Sequence, residues 1–337
     1  MPEREPAGIL WLRAQLAKFR PAEFRPGVPT VERPPGVAVL TDSAASLPPE
    51  WVQGLPDDGR LTIVPMPVMV GSEIYGEGVD DLGQSIAIAL AAGKPVRTSR
   101  PSPGQFERAY RTLLDKGYSG AVSVHISGAL SGTVESAQLA ASRLDFPIEV
   151  VDSRSAGMAQ GFGVQGALLA AAAGGGPASV AAAARNQCGA ARIYFYVPSL
   201  EQLRRGGRIG TAASWLGTVL AIKPILSMED GQVVPLERIR TAAKAVARLE
   251  ELVRQDIASR PAGSARLAIH HFGNETAARE LSERLRQGSP AGMEVYLTGL
   301  PAVLAAHAGL GVLAVIVGDN RFPTAESLAG TGGGPAS

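Results

Sequence analysis

The residues best placed to do chemistry in this chain are hydroxyls and acids grouped at the ends of apolar runs. Thr41-Asp42-Ser43 follows Val37 to Leu40, Ser127 to Thr133 follows Gly120 to Ile126, and Asp152-Ser153 closes the run from Ile148. A fourth cluster, Thr98-Ser99-Arg100-Pro101-Ser102, stands just ahead of a helical pattern. If the apolar runs are parallel strands, such turns lie at their carboxyl ends, where open α/β sheets bind ligands. The turn from Ser127 to Thr133 leads into a helix predicted over 132–144. The first N–H groups of a helix lack intrahelical partners and carry partial positive charge, so this end suits a phosphate or carboxylate. Gly132 would let an anion come close to the backbone. The same residues also make an ordinary Ser or Thr cap, worth about 1 kcal/mol, and for this turn alone the two readings are level. In the fourth cluster Ser102, followed by Pro103, fits a cap position. That leaves Thr98 and Ser99 without a structural task.

Other chemistries fit less well. A serine nucleophile of the hydrolase type needs Gly-x-Ser-x-Gly directly after a strand, whereas the string here is Gly128-Ala129-Leu130-Ser131-Gly132. A Ser131 acyl-ester hydrolase using His125 or His307 stands as the alternative function. Gly161-Phe162-Gly163-Val164-Gln165-Gly166 spells the dinucleotide fingerprint, but it does not directly follow the strand ending at Asp152, and no acid follows at the required distance. It reads as a close-packed helix. No metal-ligand spacing of His and Cys is present, so neither metal nor cofactor is expected. Arg204-Arg205-Gly206-Gly207-Arg208 is a basic glycine-rich turn. Arg208 and Arg240 together would form a positive edge for an acidic partner or an anion.

The elements that must position these groups alternate. Short, nearly continuous apolar strands and amphipathic helices follow each other from Val37 to Asp152, which defines an α/β fold with a parallel sheet covered on both faces. Leu61 to Val70 reads as one extended segment with edge prolines. Residues 156–186 are Ala- and Gly-rich and read as two helices broken at Gly174-Gly175-Gly176-Pro177. Strands near 193–197, 222–228, 232–238, 265–270, 293–298 and 312–317 then imply a second α/β domain with a mixed sheet. The expected organisation is an extension over 1–36, an N-terminal domain over 37–155, a C-terminal domain over 156–320 and a disordered tail over 321–337.

Composition narrows the function. The 337 residues include 45% hydrophobic and only 5% aromatic side chains, so the cores should be small and aliphatic. A net charge of +1 argues against a nucleic-acid binder. The single cysteine, Cys188, cannot form an internal disulfide and fits a cytoplasmic protein. No apolar run reaches the ~20 residues needed to span a bilayer. Ile9, Leu12, Leu16 and Phe19 fall at helical spacing with basic residues between them, ahead of a proline-rich linker. They read as a short helix docked on the body, or as one making transient contact with a membrane surface or a partner.

Taken together and in order, several strings resemble the DegV family of fatty-acid-binding proteins, which includes the carrier subunit of the bacterial fatty acid kinase. They are Leu40 to Pro48, Tyr75 to Asp80, Thr98 to Ser102, Leu130 to Thr133, Val151 to Ser153, Leu203 to Ile209, Ile222 to Ile225, Arg240-Thr241 and His307 to Gly311. The resemblance implies a two-domain α/β fold holding one long-chain fatty acid between the domains. It implies a carboxylate bound near Thr98, Ser131 with Gly132, and His307, with Ser99, Arg100, Ser127 and Thr133 as secondary candidates. Arg208 and Arg240 match the surface used by the ATP-binding kinase subunit, which converts the bound acid to an acyl phosphate. The carrier has no chemistry of its own, so the chain is not expected to be an enzyme. A regulatory lipid sensor without a kinase is the further alternative. Two strings depart from the family pattern: Arg100 stands where glutamine is usual, and Ala308 and Leu310 replace threonine and proline after His307.

Overall fold

The computed structural model describes residues 36–76, 82–215, 222–290 and 292–321. The expected helix and linker of the N-terminal extension, the tail after residue 321, and part of the Tyr75–Asp80 string lie outside them. Among the described residues the strands form three sheets.

The first part of the chain runs β1 (Val37–Asp42), α1 (Pro49–Gln53), β2 (Leu61–Val64), β3 (Pro67–Val70), β4 (Glu73–Gly76), α2 (Leu82–Ala91), β5 (Val96–Thr98), α3 (Pro103–Asp115), β6 (Gly120–His125), α4 (Thr133–Ala141) and β7 (Ile148–Asp152). β2, β1, β6 and β7 form a parallel four-stranded sheet in that order. Every residue of β1 and β6 is buried, as continuous apolar strands between layers must be. α3 opens on Ser102, whose hydroxyl accepts from Gln105 N–H while the Gln105 side chain accepts from Ser102 N–H.

The extended segment expected over 61–70 is two strands in two sheets. β2 pairs with β1, whereas β3 joins β4 and β5 in a small antiparallel sheet. Pro65 and Pro67 lack N–H groups and cannot continue one ladder. Met66 N–H between them donates instead to Ser43 Oγ at 3.1 Å. Thr98, in the hydroxyl cluster ahead of α3, is the last residue of β5, paired with Val68.

Next come α5 (Met158–Ala172) and α6 (Pro177–Ala190), broken at the predicted glycines. Both helices pack against the parallel sheet and against a strand of the following sheet, so they form a shared middle layer. The fingerprint-like glycines serve this packing. A Cβ on Gly163 would collide with Cys188 Sγ and lie 3.1 Å from Ala184 O, and one on Gly166 would lie 2.7 Å from Gln187 Cγ. Cys188 is buried there, which raises its thiol pKa to about 12.

The remainder runs β8 (Arg192–Tyr196), α7 (Glu201–Arg205), β9 (Lys223–Glu229), β10 (Gln232–Ile239), α8 (Ala242–Ser259), β11 (Ala265–Phe272), α9 (Glu275–Gln287), β12 (Val295–Gly299), α10 (Ala302–Ala308) and β13 (Val312–Asp319). Its six-stranded sheet has the order β10-β9-β8-β13-β11-β12 and is mixed, with only β11 and β12 parallel. Arg266 of β11 is fully buried against the middle layer. It donates to Gln165 at 2.6 Å and Gln187 at 2.8 Å and stacks on Phe162.

Candidate functional site

A cavity of about 370 Å³ opens where the ligand end of the parallel sheet, the small sheet and the mixed sheet meet. Small-molecule pockets span roughly 300–1,000 Å³. Most of its wall is aliphatic or aromatic, including Ile126, Ile193, Phe195, Met228, Val303 and Ile316. Its polar lining comes from several elements: Thr98 at the end of β5 with Ser99 and Arg100 following, Ser131 and Gly132 before α4, Arg208 after α7, His307 on α10 and His270 on β11.

Thr98 and His307 form the first polar pair, with Thr98 Oγ1 2.8 Å from His307 Nε2. Burial, reinforced by the positive charge of Arg208, holds the His307 pKa down at about 4. The ring is therefore neutral at pH 7. Its other nitrogen, Nδ1, is buried and unpartnered among the described residues. Gly206 makes room for the ring, because a Cβ there would overlap Nδ1.

Ser131 and Thr133 form the second pair, with hydroxyls 2.8 Å apart. α4 begins at Gly132 without any side-chain cap. The ordinary-cap reading of this turn therefore does not describe it: the Ser131 hydroxyl meets Thr133 rather than a helix N–H. The φ of −72° at Gly132 suits any residue, so the glycine is not called for by the backbone. A Cβ would run into the Arg100 guanidinium and approach Glu135 Oε2. Arg100 also pairs with Glu135 at 3.3 Å, and both side chains are exposed.

The turn itself is anchored from three directions. Asp152 at the end of β7 accepts from Gly128 N–H at 3.2 Å. Arg208 Nε donates to Leu130 O at 2.9 Å. Ser127 Oγ donates to Gly231 O at 2.7 Å. Asp230 and Gly231 form the two-residue loop between β9 and β10, both at positive φ (49° and 81°), as tight hairpins require. Arg154 Nη2 also pairs with Asp230 at 2.8 Å. Ser127 is 1% exposed and Thr133 is fully buried, so both hold the turn and neither lines the cavity.

Arg208, expected on a partner-facing edge, is half-buried at the cavity wall, whereas Arg240 is exposed and outside the lining. His125 is sealed in the core. Its Nδ1–H donates to Asp42 Oδ2 at 2.9 Å, and its Nε2 accepts from Ser123 at 2.6 Å, which accepts from Tyr110 at 2.9 Å. Both ring nitrogens are occupied, so His125 offers Ser131 no base.

The sequence reading passed over His270, which lines the cavity from β11. Its Nε2 accepts from Met158 N–H at 3.0 Å, capping α5 from the opposite sheet, where Gly157 turns at a φ of +61°. Burial holds its pKa at about 4. The adjacent pair His270-His271, following the apolar run Leu267 to Ile269 in β11, was the available signal. Among the described residues no cluster of His, Cys, Asp or Glu could hold a metal ion, and no helix is long and apolar enough to cross a membrane.

A parallel sheet and a mixed sheet around shared helices, with a mostly apolar cavity carrying a few hydroxyls, define an α/β protein with a small-molecule-sized pocket. The family model described as "Uncharacterised protein, DegV family" matches residues 36–319, and the chain belongs to the DegV family. It is 40% identical over 281 residues to a DegV domain-containing protein of Streptomyces coelicolor, covering 83% of this chain and 98% of that one. It is 32% identical over 282 residues to the protein DegV of Bacillus subtilis, covering 83% and 98%. Its fold is similar to that of a fatty-acid-binding DegV family protein from Thermus thermophilus, with a TM-score of 0.76, 33% identity, and 84% and 99% of the two chains covered. The fatty acid binding protein DegV from Bacillus subtilis gives a TM-score of 0.75 at 31% identity, with 84% and 99% covered.

Proposed function

We propose that this chain binds one long-chain fatty acid and presents its carboxylate to an ATP-dependent kinase in the cytoplasm. The observation that carries this reading is an apolar cavity ending in two hydroxyls, each backed by a hydrogen-bonding partner. Each buried methylene contributes roughly 0.8 kcal/mol, so a long tail supplies about 10 kcal/mol before ordering costs. The head must not be buried unpaired.

In this reading neutral His307 carries its proton on Nε2 and donates to Thr98 Oγ1. That leaves the Thr98 O–H to donate to the carboxylate, and puts a lone pair rather than an N–H at the unpartnered Nδ1. Thr133 donates to Ser131 in the same way, and Ser131 donates to the carboxylate. The α4 N-terminus at Gly132 and the nearby Arg208 favour the negative charge. Arg100 and Ser99 form the exposed rim. A carboxylate oxygen would attack the γ-phosphorus of ATP held by the kinase, with ADP leaving and an acyl phosphate remaining at the rim. Exposed Arg240 is available to the partner, and Arg208 links the partner face to the turn.

The test is mass spectrometry of lipid extracted from the purified protein, with titration of added fatty acid. A long-chain acid at about one per chain is expected. No bound acid and no uptake would overturn the reading. Acyl phosphate formation with a cognate kinase tests the presentation step separately.

A further inference from the structure

Far from the polar pairs, a second groove of about 570 Å³ runs beside β2. Val52, Leu55, Leu61, Ile63, Leu168 and Leu169 give it an apolar floor, and Asp57, Asp58 and Arg60 stand on its rim, with Arg60 paired to Asp58 at 3.4 Å. β2 is an edge strand of the parallel sheet, and Ile63 is 39% exposed, one of the few large apolar side chains left open. An uncovered apolar edge strand invites pairing with other chains, and proteins commonly cover such edges.

The chain enters the described structure next to this groove. Gly36 O accepts from Ser119 N–H at 3.3 Å, and the Gly36 Cα faces Ala171 O, one residue from the groove-lining Ala172. Residues 1–35 precede the family-matched region, 36–319. Ile9, Leu12, Leu16 and Phe19 would share one face of a helix, and Arg13 and Arg20 fall beside that face. A helix over 9–19 is about 16 Å long. The intervening sequence, with prolines at 21, 26, 29, 34 and 35, tethers residues 9–19 to Gly36, and a tether raises local concentration.

We propose that the occupant of this groove is the chain's own N-terminal segment. Ile9, Leu12, Leu16 and Phe19 cover Ile63 and the Leu168-Leu169 floor, with Arg13 and Arg20 on the side of the exposed Asp57. This assignment is independent of the fatty-acid reading, and its test uses a different readout.

The experiment is amide hydrogen exchange on the full-length chain, comparing the parent with Leu12→Asp/Leu16→Asp. Both positions lie outside the family-matched region, so the body should fold unchanged. Exchange across residues 55–63 is expected to accelerate at least fivefold in the variant, while β6 stays as it was. In the parent, protection of 55–63 should survive tenfold dilution. Unchanged exchange in the variant would overturn the proposal. So would protection that vanishes on dilution, which would mark a second copy as the occupant. Sedimentation with phosphatidylglycerol vesicles completes the test. Vesicle binding lost in the variant without any change at 55–63 would assign the segment to membranes instead.

Discussion

Thr98 Oγ1 and His307 Nε2 meet at 2.8 Å although 209 residues separate them in sequence. The contact joins β5 of the small sheet to α10, which follows β12 of the mixed sheet in the chain and packs on β3, β5, α2 and α7. It also places a neutral imidazole behind a hydroxyl that faces the cavity. Thr98→Ala should weaken fatty-acid binding by roughly 10- to 100-fold, since a hydrogen bond to a charged group is worth about 1.5–3 kcal/mol. Thr98→Ser should retain most affinity. Displacement of a fluorescent fatty acid would measure both, and equal affinity of parent and Ala variant would remove Thr98 from the site.

Gly206→Ala tests the position of His307 without touching a polar group. The backbone there has φ −75°, ordinary for alanine, but the new methyl would overlap the imidazole. Affinity should fall at least tenfold while the urea midpoint moves little. Retained affinity would mean that the ring can shift without consequence.

Arg208 and Arg240 should separate by function. Arg208 holds Leu130 O beside the polar pair, whereas Arg240 is exposed and outside the cavity lining. Arg240→Ala should leave lipid affinity unchanged and slow acyl phosphate formation with a cognate kinase. Arg208→Ala should lower both. A lipid defect in the Arg240 variant would contradict this division.

Stability should fall as the solution is acidified. His270 and His307 have folded pKa values of about 4, below the ordinary 6.5, because burial disfavours their charged forms. Between these values the unfolded chain binds protons that the folded chain refuses. The stability they contribute is thus complete above pH 6.5 and lost as pH falls through 4, of order a few kcal/mol for fully buried His270. Urea unfolding at pH 7.5, 6 and 5 should show this slope, and His270→Gln should flatten it. A glutamine oxygen can still accept from Met158 N–H. An identical slope in that variant would reject His270 as a source.

The α5–α6 contact gives a stability test of the glycine string. Gly163→Ala should cost about 1–3 kcal/mol by overpacking against Cys188 and the Ala184 carbonyl. A neutral effect would show that the helices have slack.

Much of this was legible in the residues themselves. Continuous apolar strands announced the parallel sheet, and Ser102-Pro103 announced the start of α3. Gly161 to Gly166 was readable as packing because its distance from Asp152 was wrong for a phosphate turn. The ordered strings brought Thr98, Ser131 and His307 together, which spacing alone could not do across two sheets. What stayed hidden depended on tertiary pairing. Pro65 and Pro67 marked an interruption, but not that β3 leaves one sheet for another. Arg208 looked like a surface cation because a glycine-rich turn says nothing about the Leu130 carbonyl it meets. His270 carried no local sign that its ring would cap a helix from another layer.

The Ser127–Gly231 hydrogen bond has a mechanical meaning if the chain exchanges a ligand as proposed. The loop between β9 and β10 belongs to the mixed sheet, yet it grips the turn that carries Ser131. If the two sheets part, that loop either lets go or pulls the turn with it, whereas the Thr98–His307 contact lies between β5 and a helix that packs on β5 itself. Under the proposed reading, widening the cavity there would loosen the Ser131 half of the polar end and leave the Thr98–His307 half in place, so a ligand would lose one anchor before the other.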